Sequence, residues 1–347
     1  MNNATLAKST NNSDTLNQQA TSNKVEVNHE WGTLKEVLVG RPFVYMPKEL
    51  PAYMRSWLND KALAVYDELQ GRSIEEVFPE LHQKQVTQIN NVISVLEENG
   101  VKVHQVAEQT QDEHEFLKNQ IDSYQSYTYM RDAVVVIGNH FIETNMFDPG
   151  RRRDRFAIRR TLGERLNNSN AKIVSMPESP IIVDDNGFGP GPFLEGGDTF
   201  VLGKTILVGN SGNASNTAGI EWLQRYLGEE YEVIEVKLDS KFVHLDCVLC
   251  TLRPGLAMIV KDAFLDGIPD VLKGWDFINV SAEDAKLHLA ANALVINDQT
   301  VMMPDSLKHI STEVRAKGHQ VIEVPFDAIN WQGGSFRCFH HPIVRES

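Results

Sequence analysis

The 347-residue sequence carries 33 basic against 47 acidic side chains, a formal charge of −14, with 41% hydrophobic and 23% charged residues. That balance excludes a disordered chain, a collagen and a coiled coil, and the acidity argues against a nucleic-acid binder. The longest apolar runs, such as 133–137 (AVVVI), fall far short of the ~20 residues that a membrane span needs. Neither nucleic acid nor membrane is therefore an expected partner, while an acidic surface suits a cationic small molecule.

Residues 1–24 contain 15 Ser, Thr, Asn or Gln, no apolar stretch of the kind a secretion signal requires, and no Arg. They read as a disordered polar tail, and order is expected from Val25 onward. Three cysteines, Cys247, Cys250 and Cys338, are too few and too odd in number for a disulfide framework. They point to a reducing, cytoplasmic compartment. Length alone allows about two domains, but the elements argue for one domain over 25–347.

Short apolar strands are predicted at 35–40 (KEVLVG), 132–139 (DAVVVIGN), 204–210 (KTILVGN), 255–260 (GLAMIV) and 300–303 (TVMM), bounded mostly by Gly, Pro or Asn. A second set is predicted at 101–106, 171–176, 231–236, 276–280 and 320–324, several of them after a helix-like segment. Val86, Ile89, Val92, Ile93 and Leu96 share one face of a helix that Gly100 can end. Asn216 can cap a helix carrying Ile220, Leu223 and Leu227, ended by Gly228. The unit strand–helix–strand thus recurs about five times, which suits blades packed around a centre within one α/β domain. The alternative, a doubly wound sheet, lacks its usual support, because no glycine-rich phosphate loop follows a strand.

Chemistry-bearing residues gather beside these strands. Cys338 follows Gly333-Gly334; Arg337, His340 and His341 beside it could depress a thiol pKa, although a lone cysteine also serves as a small buried hydrophobe. In 244–250 (HLDCVLC), read as a strand, alternation puts His244, Asp246 and Cys250 on one face and Cys247 on the other. That argues against zinc at the Cys247-x-x-Cys250 pair. His244 and Asp246 are open to two readings, a shared pocket or a structural pair. Glu195 and Asp198 flank Gly196-Gly197, where a sharp turn could bring Glu195 into a cavity or leave it in solvent. Asp132 stands at the mouth of a strand. The arginines at 151–160 read as a salt-bridged surface or an anion contact, and Trp31 and Trp222 as core. One cysteine, one histidine and several acids suit a guanidinium: carboxylates hold its N–H edge, a thiolate attacks its carbon, and the histidine protonates the departing amine.

At this point the sequence resembles the amidinotransferase and arginine deiminase superfamily of guanidino-group-modifying enzymes. The resemblance runs from about Val25 to the C-terminus. Five motifs stand in the family's order: Glu30-Trp31 with KEVLVG, MRD followed by VVVIGN and FIE, LEGGD, HLD, and the closing GG-x-x-x-C. It implies a five-bladed α/β propeller with pseudo-fivefold symmetry, a covalent intermediate on cysteine, and no metal or organic cofactor. By position, Cys338 matches the nucleophile and His244 the acid/base. Asp132 and Asp246 match the acids that grip the guanidinium, Glu195 matches a third site acid, and Asp198 a supporting one.

Two branches compete. His29-Glu30-Trp31, Ile142-Glu143 with the arginines after it, and Gly219-Ile220-Glu221-Trp222-Leu223 resemble amidinotransferases. Glu195-Gly196-Gly197 and the ending RC-x-x-x-P-x-x-RE resemble hydrolases. Ala263 and Ala285-Lys286 fall where the vertebrate glycine amidinotransferase has an arginine and a pair of serines, which speaks against glycine as acceptor. The expected function is amidino transfer from arginine or a related guanidino compound to an amine acceptor. Hydrolysis of the deiminase or dihydrolase type is the alternative, and a non-catalytic arginine-binding propeller is a third reading. Arg131, Arg159 and Arg253 are candidates for holding a substrate carboxylate, and a homodimer is the expected assembly. A chain beginning at Val25 is expected to keep full activity and melting temperature. A fall of several degrees in a thermal scan would show that the tail packs on the body.

Overall fold

The structure, a computed structural model, describes residues 23–179 and 189–346. Of the tail at 1–24, residues 1–22 lie outside the described residues.

The described chain forms a mixed α/β fold with five three-stranded sheets and a two-stranded one. The five share one plan: a middle strand pairs antiparallel with one neighbour and parallel with the other. In chain order the middle strands are Thr33–Val39, His140–Glu143, Thr205–Asn210, Leu256–Ile259 and Thr300–Pro304. Four of the five units cross to the parallel strand through an α-helix: Pro79–Glu98, Asp154–Asn167, Thr217–Leu227 and Lys308–Ala316. The fourth unit crosses instead through two short 3-10 turns, Lys261–Ala263 and Asp270–Leu272.

The predicted strands are present, and the expected helix caps form. Asn216 accepts the Gly219 N–H at 2.9 Å, and Gly100 takes a left-handed φ of 76° after the helix ending at Glu98. What the sequence reading left out are the antiparallel partners. In three units the hairpin turns over two residues that include a glycine with positive φ, at Gly138, Gly203 and Gly255. Such tight turns need backbone that other residues rarely adopt. The 132–139 stretch is itself the antiparallel partner (Val134–Ile137), and the middle strand of that unit is His140–Glu143.

The unbroken apolar strands are explained by burial on both faces. Val134 and Val136 pack with Leu38, Phe141 and Ile343, whereas Val135 and Ile137 pack with Val201, Ile206 and Leu223. Alternation therefore sends successive side chains into two different cores. Each sheet shares a core with the next in this way, and the fifth shares one with the first, through Leu294 and Met302 against Leu34 and Val37. The first sheet is completed by the end of the chain, since His340–Glu346 lies antiparallel to Thr33–Val39.

Charges at the middle of these sheets are buried in pairs. Glu30 accepts from the Val201 N–H at 3.1 Å and from Arg337 Nη2 at 3.0 Å, with Arg131 Nη2 at 3.5 Å. Burial opposes ionisation of Glu30, but Arg337 and Arg131 outweigh it and hold its carboxyl at about 2. Breaking a buried pair from one side leaves an uncompensated charge. Glu30→Gln is therefore expected to cost about 3–5 kcal/mol in urea unfolding at pH 7. Because the folded pKa lies below the unfolded one, this stabilisation is complete above the ordinary carboxylate range and disappears as pH falls towards 2. Wild type and variant should therefore converge in stability only as pH falls through about 2.

Candidate functional site

Four segments that are distant in sequence meet in one cavity. Its lining includes Asp132, Glu195, His244 and Cys338. A roomier groove, bordered by Arg41, His82, Glu108 and His114, lies elsewhere and contains none of them.

Asp132 comes just before the strand Val134–Ile137. Its Oδ1 accepts the Gly197 N–H at 3.0 Å and its Oδ2 accepts Arg151 Nη1 at 2.9 Å. Glu195 enters from the Gly-Gly turn, with Oε1 accepting the Phe147 N–H at 2.8 Å and Oε2 lying 2.8 Å from His244 Nε2. Nδ1 of His244 is 3.8 Å from Asp132 Oδ1, so the ring stands between two carboxylates. Gly197 makes this approach possible: a Cβ there would come within 2.7 Å of His244 Nδ1 and 2.8 Å of Asp132 Oδ1.

The segment 244–247 is not a strand. His244 precedes a 3-10 turn, Leu245–Cys247, and the strand begins at Leu249. Period-two alternation consequently fails there. Asp246 turns behind Cys338, with Oδ2 3.5 Å from Cys338 Sγ and accepting Arg337 Nη1 at 3.2 Å. Cys247, expected to point away, has its thiol 3.8 Å from Oδ1 of the same carboxylate. Cys250, expected on the His244 face, borders a separate crevice with Glu30, Phe200 and Arg337. Asp198 is fully buried and holds the turn from behind, accepting N–H groups from Leu245 at 3.0 Å and Ser215 at 3.2 Å. Burial pushes its carboxyl up to about 7.

Cys338 lies in the short helix Phe336–Phe339. Asn292 fixes it: one amide oxygen accepts the N–H groups of Ser335, Arg337 and Cys338, and the amide nitrogen lies 3.2 Å from Cys338 Sγ. Arg337 and the two histidines do not depress the thiol pKa as the sequence suggested. Arg337 is engaged by Glu30 and Asp246. Burial and Arg131 keep His340 and His341 far below their usual range. The thiol is instead raised well above its ordinary value by burial, then by Asp246, Cys247 and Asp132. His244 is raised as well: burial opposes its charge, but Asp132, Asp198 and Glu195 together prevail, leaving an imidazolium that can donate from both nitrogens.

None of Arg131, Arg159 and Arg253 lines the cavity. Arg131 donates to the Gly196 and Thr199 carbonyls, Arg159 pairs with Glu143, and Arg253 donates to the Lys317 carbonyl. The remaining arginines at 151–160 are likewise engaged, Arg153 and Arg155 with Glu178 and Arg160 with Glu113. Arg151 has a further part, bridging Asp132 and Asp154 at the cavity wall. The sequence reading placed Arg151 only within a salt-bridged cluster and gave no place to Asn292, which stands in no motif. Asp132, Glu195 and His244 each offer an atom within 4.8 Å of the others, a set that could hold a cation. Here they are engaged with one another, with Arg151 and with the Phe147 N–H.

Residues 55–345 match the family model described as N,N dimethylarginine dimethylhydrolase, eukaryotic. An uncharacterised Bacillus subtilis protein, YkgA, is 33% identical over 153 residues, which is 44% of this chain and 52%, about half, of that relative. An L-arginine:L-lysine amidinotransferase of Pseudomonas savastanoi pv. phaseolicola is 24% identical over 89% of this chain and 91% of its own length. The solved structure of SxtG, an amidinotransferase from Microseira wollei in saxitoxin biosynthesis, superimposes with a TM-score of 0.75 at 23% identity, covering 93% of this chain and 98% of that one. With its matching motifs gathered at one cavity, the chain belongs to the dimethylarginine hydrolase family and, with it, to the superfamily of amidinotransferases and guanidino-group hydrolases.

Proposed function

We propose that the protein is a cysteine-dependent amidinotransferase acting on arginine or a related guanidino compound. The observation that carries this reading is the convergence of a buried thiol, an imidazolium and carboxylates in one cavity. Residues 25–347 act as one catalytic unit, and the five sheets stand as blades of a pseudo-fivefold propeller; the cyclic sharing of cores supports that arrangement.

The guanidinium enters beside Asp132 and Glu195, with Asp246 supplying negative charge from behind Cys338. A cation in that place offsets the carboxylates that keep the thiol protonated, so once substrate is bound the thiol gives its proton to solvent and becomes thiolate. Sγ attacks the central carbon, and the carbon–nitrogen bond to the alkylamine breaks as His244 gives that nitrogen a proton. The product is an amidino group on Cys338. An acceptor amine then attacks the same carbon, loses a proton to His244, and expels the thiolate. Asp198 is a positioning residue, since it holds the His244 turn without lining the cavity.

Hydrolysis is the second reading, favoured by the hydrolase description of the matching family and by Glu195-Gly196-Gly197. It needs the same residues, with water in place of the amine. Intact-mass spectrometry of enzyme quenched during turnover with a panel of guanidines separates the two. A gain of one amidino group on Cys338, with the group recovered on an added amine, is expected for transfer. A gain of the whole substrate less ammonia would establish deimination instead.

Cys338→Ala should abolish turnover while leaving substrate binding within roughly tenfold, because carboxylates bind and the thiolate reacts. Asp132→Asn should weaken binding and rate together by about 1.5–3 kcal/mol. Full activity in Cys338→Ala would remove the covalent mechanism. In the absence of substrate, alkylation of Cys338 should climb steadily with pH and show no plateau near neutrality, because burial and acidic neighbours hold the thiol up. A plateau below pH ~7 would mean a preformed thiolate.

A further inference from the structure

The cavity contains polar groups that the chemistry at Cys338 leaves idle. Gln332 is 3% exposed and lines the cavity, yet neither its carboxamide oxygen nor its nitrogen meets a partner. Nε1 of Trp57, which also lines the cavity, is buried and unpaired. The two belong together: Gly333, next to Gln332, packs so closely on the Trp57 ring that a Cβ would come within 2.7 Å of it. Each unpaired buried group is destabilising. Two donors and an acceptor left open at one wall indicate a ligand that completes them.

The charges of the lining limit what that ligand carries. Three carboxylates, Asp132, Asp148 and Glu195, face one guanidinium, Arg151. Arg151 is fully engaged, with Nε on Asp154 at 3.1 Å, Nη1 on Asp132 at 2.9 Å and Nη2 on the Tyr129 carbonyl at 2.5 Å. His244 lies between Glu195 and Asp132. Among the described residues, the lining keeps no uncommitted cation for a substrate carboxylate. Lys241 and Lys286 border an adjoining crevice that shares Trp57, Val243 and Gly333 with the cavity but none of its carboxylates.

We propose that Gln332 and Trp57 bind the end of the donor substrate farthest from its guanidinium, and that this end bears a hydroxyl or an amine and no carboxylate. The proposal rests on the guanidino-modifying reading and narrows its substrate class. A hydroxyl can donate to Gln332 Oε1 and accept from Trp57 Nε1. An ammonium can donate to Gln332 Oε1 and lie against the rings of Tyr53, Trp57 and Tyr124, which also line the cavity. A carboxylate would enter a wall of acids.

The test uses full-length Cys338→Ala, which binds without turning over, and calorimetric titration with five guanidines. Agmatine and 4-guanidinobutan-1-ol carry the two expected tails, 4-guanidinobutyrate and arginine carry carboxylates, and methylguanidine has no tail. At least one of the first two should bind roughly tenfold or more tighter than both carboxylates. Adding Gln332→Leu, or separately Trp57→Phe, should erase that margin and leave methylguanidine binding unchanged. Arginine or 4-guanidinobutyrate binding as tightly as agmatine and 4-guanidinobutan-1-ol would overturn the proposal. Their loss in Lys286→Ala would then assign the carboxylate to the adjoining crevice. Wild-type turnover is scored separately. The expected binding order without an adduct on Cys338 would refute the transfer chemistry and leave the tail preference standing. If none of the five binds, both fall.

Discussion

A single buried guanidinium, that of Arg337, governs how the centre is built. Its Cζ lies over the Phe200 ring, 3.8 Å from the centroid, and it donates to Glu30 and to the Thr199 carbonyl and reaches Asp246 with its remaining arm. Those partners come from the N-terminal segment, the third sheet and the 3-10 turn after His244. A planar fork of donors can join such elements only if each arrives at a fixed angle. Cys338 is the next residue in the chain, so its position follows from the same joint. Because Arg337 is neutralised by its own acids, the thiol beside it receives little of its charge. Burial and the neighbouring acids set the state of that thiol instead, and they hold its pKa high.

Much of this was legible in the sequence. The apolar strands could be read from composition because burial on both faces leaves no polar positions to confuse them, as at Val134–Ile137. Cys338, His244, Asp132 and Glu195 could be named from their motifs, and they do meet in one cavity. The hairpin partners were harder, because a two-residue turn such as Gly203-Lys204 looks like an ordinary strand end. The 3-10 turn at Leu245–Cys247 was misread because its residues alternate as a strand would; the Cys247 and Val248 N–H groups close the turn on the His244 and Leu245 carbonyls, and the Leu245 N–H donates to Asp198. Asn292 and Gln332 gave no signal at all, and Arg151 only that of a salt-bridged cluster. Their meaning depends on partners across long stretches of chain, such as the 46 residues between Asn292 and Cys338. No local pattern encodes such a separation.

The acids of the site divide by what surrounds them more than by their chemistry. Asp132 and Glu195 face the cavity and share His244, whereas Asp198 accepts the Leu245 and Ser215 N–H groups, and burial pushes its carboxyl up to about 7. One face of the Gly-Gly turn thus presents charge to a ligand, and the other holds the protein together. A turn with any side chain at Gly197 could not keep the two functions so close.

The sheet that begins the chain is finished by the strand that ends it, and Glu30 waits 307 positions for Arg337. During synthesis the first sheet stays incomplete, with an open edge, until the strand His340–Glu346 has been made. Contacts of such separation form late, because loop closure must precede their reward. Cys338 lies just ahead of that strand, so a chain cut before it lacks both the sheet edge and the thiol. Closure of the first sheet and completion of the cavity wall thereby depend on one short segment.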